Sequence, residues 1–378
     1  AGACAAIMLA ANKEAAADPV FRRIFVAGSV SFGNAWPLLG ETPALPLPFS
    51  LVIPKGAPAD SAARDWLCAS KVSSEPHVSA GAFGVLAEGT WRRAGVAAAL
   101  HFHHARDYER GVGREGQIFN YEAIEAGQRF RSLVTGEEAD LEILAGLLEK
   151  AGILRIGRSR HVEYGRVRVA VRDGRTDHAG EVPGCGPRAG SNTLALVSDL
   201  VLPPDVPPFA ENICRDVFGL PLDTAGSTPA AYVKTGEAWT FSGIRRLPAP
   251  ARRIVRAGSC FRVTIAAEDV ERCAALQAGG AGLERWRGHG RLVFNWQQKE
   301  TLAAARIQAE APRKPDGSVP GRVTAIVGGI VRERIMAEVR GQAILDAREF
   351  GPLPKRSLTG RLEAMLRAAS TVAGFAQS

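Results

Sequence analysis

The sequence has 378 residues, of which 46% are hydrophobic and 23% charged. This balance is that of a globular protein and excludes a disordered chain. The length fits two or three domains with substantial cores. No apolar run approaches the roughly 18 residues of a membrane helix, and the Ala-rich start lacks the basic segment and apolar core of a signal peptide. We therefore expect a cytoplasmic protein that has no membrane partner.

The formal net charge of +8 comes almost entirely from arginine, with 39 Arg against 8 Lys. Arginine offers planar, bidentate donors and stacks on bases, so its excess favours a nucleic-acid partner. A GC-rich genome, which inflates Arg, Ala and Gly, is the alternative explanation. Clustering favours the first: seven Arg and two acids lie between residues 155 and 175, and six Arg and no acid between 245 and 262. Like charges at this density call for a polyanion.

The six cysteines are scattered, without a CxxC motif or metal-like pairing with the seven histidines. This usage is typical of buried, reduced cysteines in an intracellular protein. We expect no metal and no cofactor. A zinc site built from distant residues such as His178 and Cys185 stays open as an alternative.

Along the chain, apolar residues predict a helix within 2–25, with Asp18 and Pro19 as its stop, and then a strand near 25–34. A proline-rich stretch at 37–60 predicts extended loop or edge strands. Strands are expected near 96–102, 118–130 and 133–134. The pattern from 137 to 152 is the clearest helix, acidic at its start and ended by Gly152.

The Gly/Pro-rich stretch 180–190 is the predicted domain boundary. After it the second unit is expected to open with residues 191–202, followed by a strand near 258–265, a helix near 268–277 and a helical segment near 358–373. A strand, a helix, a Gly/Arg loop and a strand recur in both halves, which is the ending of a ferredoxin-like βαββαβ unit. The predicted domains are 1–180, 190–298 and a C-terminal extension, 299–378.

Residues 157–169 and 282–294 carry one spaced pattern: Gly, two residues, Arg, four residues, Gly-Arg, then a strand-like run. Glycine allows tight turns and close approach to a ligand, and arginine suits phosphate, so both segments are predicted to grip a nucleic-acid backbone. A solvated strand edge is the alternative, and Trp286 in the second loop could stack on a base or simply pack. The candidate ligands, with two from the 245–262 run, are Gly157, Arg158, Arg160, Gly165, Arg166, Gly282, Arg285, Arg287, Gly290, Arg291, Arg253 and Arg256.

The histidines at 101, 103 and 104 are the strongest catalytic signal. A histidine could act as general base on a 2′-hydroxyl in metal-independent RNA cleavage, with Tyr108, Arg106 or Arg110 close in sequence. Strand alternation puts His101 and His103 on one face and His104 on the other. Surface histidines, or histidines that only contact RNA, are the alternative. No P-loop and no G-x-G-x-x-G after a first strand support a nucleotide-binding enzyme.

The segment 282–294 resembles the glycine-rich loop of RAMP proteins, the ferredoxin-like RNA-binding subunits of CRISPR systems. Gly288 and Gly290 match its later glycine pair, whereas Glu284 replaces its second glycine. The segment 107–130 resembles type III RAMP subunits, with glycines at 111–116 and the apolar-Phe-x-x-Glu and Gly-x-x-Phe patterns that follow.

The opening residues 2–5 are similar to the end of the family's "PGSSLRGALA" segment, so we expect that an N-terminal part with the first strand precedes residue 1. The run 32–37 and the proline-rich loop look most like the large two-domain RAMP of type III-D complexes.

This resemblance implies an α+β fold of two ferredoxin-like (RRM-like) RAMP domains with a helical C-terminal extension. It implies a non-catalytic, antiviral scaffold that binds guide RNA and target RNA beside other RAMP-type subunits and the large subunit of a type III effector complex. The alternative is an endoribonuclease, acting through His101 and His103 without metal or through Asp107 with Mg²⁺. A protein-only assembly factor is a third class. Because aromatic residues are only 7%, we expect phosphate gripping more than base stacking.

Overall fold

The computed structural model describes residues 1–305 apart from 12, 59–60, 88, 107–112, 158–163, 173–181, 183–184, 227 and 243–246, together with single helical positions between 328 and 342. The chain divides into two compact units, Ala1–Ala309 and Glu310–Ser378. The elements below belong to the first unit. The predicted helical segment at 358–373 lies outside the described residues, and the predicted three-domain division stays a prediction. In the described part, no helix combines the length and apolarity needed to cross a membrane.

In chain order the helices and strands are α1 (Gly2–Ala11), α2 (Pro19–Arg22), β1 (Ser31–Leu39), β2 (Thr42–Pro43), β3 (Leu45–Pro46), β4 (Leu51–Pro54), β5 (Ala63–Asp65), β6 (His77–Ser79), β7 (Phe83–Ala87), β8 (Thr90–Ala94), β9 (Ala98–Arg106), β10 (Gly113–Ile124), β11 (Phe130–Thr135), α3 (Glu138–Ala151), β12 (Ile153–Arg155), β13 (Arg166–Arg168), β14 (Gly190–Leu196), β15 (Leu200–Val201), α4 (Ala210–Asn212), β16 (Ala231–Tyr232), β17 (Thr235–Ala238), β18 (Phe241–Ser242), β19 (Leu247–Pro248), β20 (Arg252–Val255), β21 (Cys260–Ile265), α5 (Val270–Gly279), β22 (Leu292–Phe294) and β23 (Thr301–Ala304). Short 3₁₀ or π turns cover Lys13–Ala17, Arg23–Ala27, Ile213–Phe218, Ala267–Asp269 and Arg285–Arg287. The fold is therefore mixed α and β, with several sheets.

We call the part of this unit from α1 to β13 the first half and the part from β14 onwards the second half. The first half packs α1 and α3 against the antiparallel pair β1–β11. Its small core contains Cys4, Ile24, Val30 and Leu144. The helix predicted at 137–152 is confirmed as α3, which ends at Gly152 with φ 61°. Glycine suits this position because a left-handed residue closes the helix without a Cβ penalty.

The predicted stop at Asp18 and Pro19 is confirmed in part: the 3₁₀ turn Lys13–Ala17 ends there, because Asp18 is extended with ψ 128°, but the same two residues also begin α2. The Asp18 side chain accepts a 2.8 Å hydrogen bond from the Val20 amide, and Pro19 is the first residue of α2. Proline has no N–H and a helix-compatible φ, so it starts a helix as well as it ends one. The two readings cannot be told apart from the dipeptide alone.

Residues between β1 and β9 form most of a seven-strand sheet, with the order β3-β7-β8-β23-β5-β4-β6. Its central strand, β23, comes from the far end of the unit and pairs parallel with β8 and antiparallel with β5. The strands are short because prolines interrupt the sequence, as the proline-rich pattern predicted. We call the part of this sheet formed by residues 45–94 the insert.

Strands β9 and β10 form a separate two-stranded ribbon, which leads from the insert towards β11. His101 pairs with Tyr121 and His103 with Phe119 in its register. Since side chains alternate along a strand, these four residues share one face of the ribbon. Phe102 is 70% exposed and lies on the other face. The ribbon thus presents aromatic residues rather than burying them.

The second half has the connectivity strand–helix–strand–strand–helix–strand, from β14 through α4, β16, β21 and α5 to β22. Its sheet has the order β16-β21-β14-β22, and every neighbouring pair is antiparallel. The first and third strands of this connectivity, β14 and β21, are therefore the two central strands of the sheet. A further ribbon, built mainly from β17 and β20, leaves the sheet between β16 and β21.

Both faces of this second sheet are buried. Along β14, Leu194 and Leu196 point into a core with Phe261 and Phe294. The alternating residues Ala195 and Val197 instead join a second core with Trp36, Trp91 and other residues of the first half. Since the insert covers one face and helices the other, neither face of the sheet is open for base stacking of the kind seen in RRM domains. In the described part of this half, the surfaces open to a ligand are therefore those of the loops and ribbons.

Candidate nucleic-acid interface

The two Gly/Arg loops share one local geometry. In the first, the Ile156 amide donates a 2.8 Å hydrogen bond to the carbonyl of Gly165. In the second, the Ala281 amide donates a 2.9 Å bond to the carbonyl of Gly290. Each bond joins the residue before the first glycine of the pattern to its second glycine. The repeat read from the sequence is therefore a repeat of structure in these two loops.

Glycine is required at the second position in both loops. Gly165 and Gly290 each have φ 75°. A Cβ on Gly165 would lie 2.0 Å from the Ile156 carbonyl oxygen, and a Cβ on Gly290 would lie 1.8 Å from that of Ala281. No side chain fits such an approach. The glycines are needed first for loop closure.

The first loop ends a hairpin that is basic on its surface. Arg155 on β12 lies directly opposite Arg166 on β13, and both are exposed. Arg168 on the same strand is exposed as well. Gly157 and Gly165 are placed as predicted at the loop ends, whereas the predicted ligands Arg158 and Arg160 lie outside the described residues. Two arginines in one cross-strand pair concentrate positive charge on this hairpin.

The second loop packs against the first half of the chain. Ser31 Oγ donates a 3.0 Å hydrogen bond to the Arg285 carbonyl. A Cβ on Gly28 would lie 2.9 Å from Trp286 Cγ, and one on Gly288 only 2.4 Å from the Phe32 carbonyl oxygen. Of the two roles open to Trp286, the structure shows packing against protein. Sequence reasoning did not foresee that this loop joins the halves.

Several arginines of the second loop already have protein partners. The Glu284 carboxylate forms ion pairs with the guanidinium groups of Arg287 at 3.0 Å and Arg252 at 3.5 Å. The Arg285 guanidinium donates to the Gly280 carbonyl at 3.4 Å. The Arg291 backbone amide donates a 2.8 Å bond to Ser198 Oγ. Glu284, the departure from the RAMP glycine pattern, thus offsets part of this loop's positive charge.

The arginine run at 245–262 reaches the ribbon of β17 and β20. Arg253 and Arg256 are both exposed. The Arg253 guanidinium donates to the Pro204 carbonyl, while that of Arg256 lies over Gly236, where a Cβ would be 2.9 Å from Nη2. Both arginines therefore keep part of their charge at the surface while a part of each side chain contacts backbone.

An aromatic cluster surrounds the predicted histidines. Tyr164, the residue before Gly165, hydrogen-bonds His103 Nε2 through its hydroxyl at 2.6 Å. The ring centroid of Tyr164 lies 5.4 Å from that of His101, 5.7 Å from that of His103 and 5.7 Å from that of Tyr121. Phe119 stacks on His103 at 5.4 Å with an interplanar angle of 11°. We call His101, His103, Phe119, Tyr121 and Tyr164 the aromatic face.

Strand alternation correctly placed His101 and His103 on one face, and sequence proximity suggested Tyr108 as the nearby phenol. The structure brings a different phenol to His103, that of Tyr164, from a hairpin more than fifty residues later in the chain. Tyr108 and the candidate catalyst Asp107 lie outside the described residues. The available signal for the other rings was the alternation of Phe119 and Tyr121 on the partner strand.

A three-arginine cluster around Glu41 also escaped the sequence reasoning. Glu41 carboxylate oxygens lie 2.8 Å from Arg129, 3.2 Å from Arg172 and 3.6 Å from Arg131. The hydrogen bond and charge of Arg129 lower the pKa of Glu41, with a smaller contribution from Arg172. The cluster keeps an excess of positive charge at the end of β1.

All six cysteines are described and free of disulfides. Burial raises the pKa of Cys214 and Cys260 to about 12 each, so both stay as thiols at neutral pH. Within the described ranges, no three His, Cys, Asp or Glu residues are grouped to hold a metal ion. Of the possible zinc pair, His178 lies outside those ranges.

No family model matches the chain, and no curated protein matches it. Among solved structures, it is similar to a chain of the Type III-B Cmr-beta complex bound to cognate target RNA and AMPPnP, with 10% identity and a TM-score of 0.37 over 69% of this chain and 75% of that chain. A chain of the same type of complex bound to cognate target RNA gives 10% identity and a TM-score of 0.38 over 69% and 73%. Similarity of this size does not place the chain in a family.

Proposed function

We propose that this protein is an RNA-binding subunit of a type III CRISPR complex, which holds guide RNA by its backbone through the first Gly/Arg hairpin. The RAMP-like motifs of the sequence supply the biological setting. The two similar structures come from Type III-B complexes rather than from the type III-D complexes that the sequence resembles. Their TM-scores are too low to support the proposal. It rests on the exposed arginines of the β12–β13 hairpin.

The observation that carries the proposal is the row of exposed arginines on the hairpin, Arg166 on β13 with Arg155 directly opposite it on β12. A guanidinium group holds a phosphodiester by bidentate, charge-assisted hydrogen bonds. The exposed Arg168 extends the basic surface along the same strand. A run of phosphates, as in RNA, fits this arrangement better than a single small anion.

In this proposal the second loop has a different task from the first. It keeps the glycine closure but uses Trp286, Gly288 and the Arg285 carbonyl to join the halves. Both halves would be ferredoxin-like RAMP domains, the second with the complete strand order and the first with β1, β11 and α3 in equivalent positions. Target RNA, neighbouring RAMP-type subunits and the large subunit are the proposed partners.

The test is to tag the full-length protein in its host, purify it gently and sequence the RNA that accompanies it. Short RNAs with a shared repeat-derived end support guide binding. Arg166→Glu combined with Arg168→Glu should remove that RNA. The matched control is Arg215→Glu, an exposed arginine that pairs with Asp216 in the second half. Absence of RNA, or random fragments that the double variant retains, would overturn the proposal.

One observation favours the endoribonuclease alternative. The exposed His101, a candidate base, lies with its ring centroid 5.4 Å from that of Tyr164, a candidate acid that His103 holds by a 2.6 Å hydrogen bond. In such a step the 2′-oxygen attacks the adjacent phosphorus and gives its proton to His101, while the leaving 5′-oxygen takes a proton from Tyr164. The products are a 2′,3′-cyclic phosphate and a 5′-hydroxyl. Cleavage in EDTA that His101→Ala abolishes would support this function, and intact RNA would exclude it.

A further inference from the structure

The aromatic face is placed to bind nucleobases, although composition predicts little base stacking. Four of its residues lie on one face of the β9–β10 ribbon, and Tyr164 reaches it from the first Gly/Arg loop. Phe119 is 45% exposed, and His101 is exposed too. Clustered rings that remain in contact with solvent lose part of the benefit of burial, which is typical of a surface that awaits a ligand.

The contacts within the aromatic face give it a fixed shape. Tyr121 meets Phe119 at 5.4 Å and 74°, and meets His103 at 5.3 Å and 65°, so these rings pack edge to face. Such pairs are favourable beyond the area they bury. The hydrogen bond between His103 and Tyr164 ties the hairpin's ring to the ribbon. Rings already held in place bind a flat base with little loss of side-chain freedom.

The charge beside this face points to nucleotides rather than to an apolar protein segment. Tyr164 is two residues before Arg166 and belongs to the hairpin that carries the Arg155–Arg166 pair. In a nucleotide a single sugar joins a flat base to a phosphate. A site for single-stranded RNA therefore needs aromatic surface next to cationic donors, which is what this hairpin and ribbon combine.

We propose that the aromatic face is a base-stacking site for single-stranded RNA whose phosphates lie on the β12–β13 hairpin. The inference rests on the proposed function and adds the part of the RNA that the phosphate contacts leave unbound. Stacking is tolerant of base identity, because every base has a π-face. The site would thus hold the strand with its bases turned towards the ribbon, with little dependence on sequence.

The test compares two RNA oligonucleotides on the purified full-length protein: one with bases, containing 2-aminopurine, and one of equal length whose central nucleotides are abasic. We expect quenched 2-aminopurine fluorescence on binding and roughly 5- to 150-fold weaker binding of the abasic strand, the equivalent of stacking one base. Phe119→Ala and, separately, Tyr164→Leu should bring the affinity for the first strand down to that for the second.

The matched control is Phe102→Ala, on the same ribbon but on its opposite face and even more exposed. It should leave both affinities unchanged. Unaltered binding of the abasic strand shows that each variant is folded. If wild-type protein binds both strands equally, or if Phe102→Ala weakens binding as much as Phe119→Ala does, the stacking site is refuted while the backbone-binding function stands. If neither strand binds, the proposed function fails as well.

Discussion

The indole of Trp286 lies directly on the backbone of Gly28, so closely that a Cβ on Gly28 would be 2.9 Å from Trp286 Cγ. Gly28 has φ 78°, a left-handed conformation that ends the π turn after α2. Trp286 belongs to the second Gly/Arg loop, and its neighbour Arg287 lies over the ring at 4.6 Å. The contact joins a loop first noticed as a basic motif to the opening segment of the chain.

Replacing Gly28 with Ala should destabilise the protein through two effects. A left-handed alanine costs about 1–2 kcal/mol, and a displaced indole adds an overpacking cost of about 1–3 kcal/mol. Gly40→Ala is the matched control, because Gly40 has φ 64° but nothing within 4 Å of its Cβ position. Urea denaturation, monitored by tryptophan fluorescence, gives the loss in free energy of unfolding for both variants. Equal losses in the two variants would mean that the Trp286 contact contributes nothing.

Gly165→Ala should be far more harmful than Gly157→Ala, although both glycines flank the same loop. The two have φ 75° and 88°, so the conformational strain is similar. Only Gly165 faces a carbonyl, that of Ile156, whereas the Cβ position of Gly157 is open. We expect Gly165→Ala to open the hairpin and expose the Ile156 amide. The rate of hydrogen exchange at the Ile156 amide measures this opening. Equal exchange rates in the two variants would contradict the closure geometry.

Asp140 should make stability depend on pH at the acidic end. Hydrogen bonds from Arg23, and to a smaller degree from Ser29, hold the pKa of this buried carboxyl below its usual value. The depressed pKa means that its contribution is present above the unfolded value of about 3.9 and is lost as pH falls through the folded-state pKa. Melting temperatures between about pH 2 and 6 should fall less steeply for Asp140→Asn than for wild type. Parallel curves would show that the carboxylate is not involved.

Asp65 has the opposite pKa shift. It is fully buried, and burial raises its pKa despite hydrogen bonds from Gln297 at 2.6 Å and the Leu67 amide at 3.0 Å. Gln297 Oε1 has no hydrogen-bond partner in the described residues. If the amide oxygen and nitrogen of Gln297 exchange places, that oxygen accepts a hydrogen bond from the O–H of neutral Asp65.

Asp65→Asn copies this neutral acid and should therefore be tolerated. A raised pKa means that wild type loses stability as pH rises above about 4, so the Asn variant should gain on it towards pH 8. Asp65→Leu leaves the Gln297 side-chain amide and the Leu67 backbone amide without their hydrogen-bond partner and should cost about 1–3 kcal/mol. Thermal melts of the three proteins check the order. An Asn variant as unstable as the Leu variant would rule out the neutral acid.

Arg166→Gln should lower both the affinity for single-stranded RNA and its salt dependence. Each phosphate contact contributes about 0.7 to the slope of log K against log salt for single strands, so the slope should become shallower by roughly this amount. Arg215→Gln, with its exposed ion pair to Asp216, should leave the slope unchanged. Binding titrations at several salt concentrations measure both. A slope unaltered by Arg166→Gln would take this residue out of the phosphate contacts.

The sequence by itself determined the local features of this protein. The helix α3, the two glycine closures and the shared face of His101 and His103 follow from short-range rules, because capping, positive φ and strand alternation involve residues near each other in the chain. Those rules left two cases open, since Asp18-Pro19 can end a helix or begin one, and Trp286 can stack or pack.

Only the tertiary structure decided which distant residues meet. The contacts of Tyr164 with His103, of Trp286 with Gly28 and of β23 with the sheet of the insert depend on the path of the whole chain. Burial on both faces of the second sheet likewise depends on an insert that comes from another part of the sequence. Such contacts are selected by the combined packing of several elements, and no local pattern encodes them.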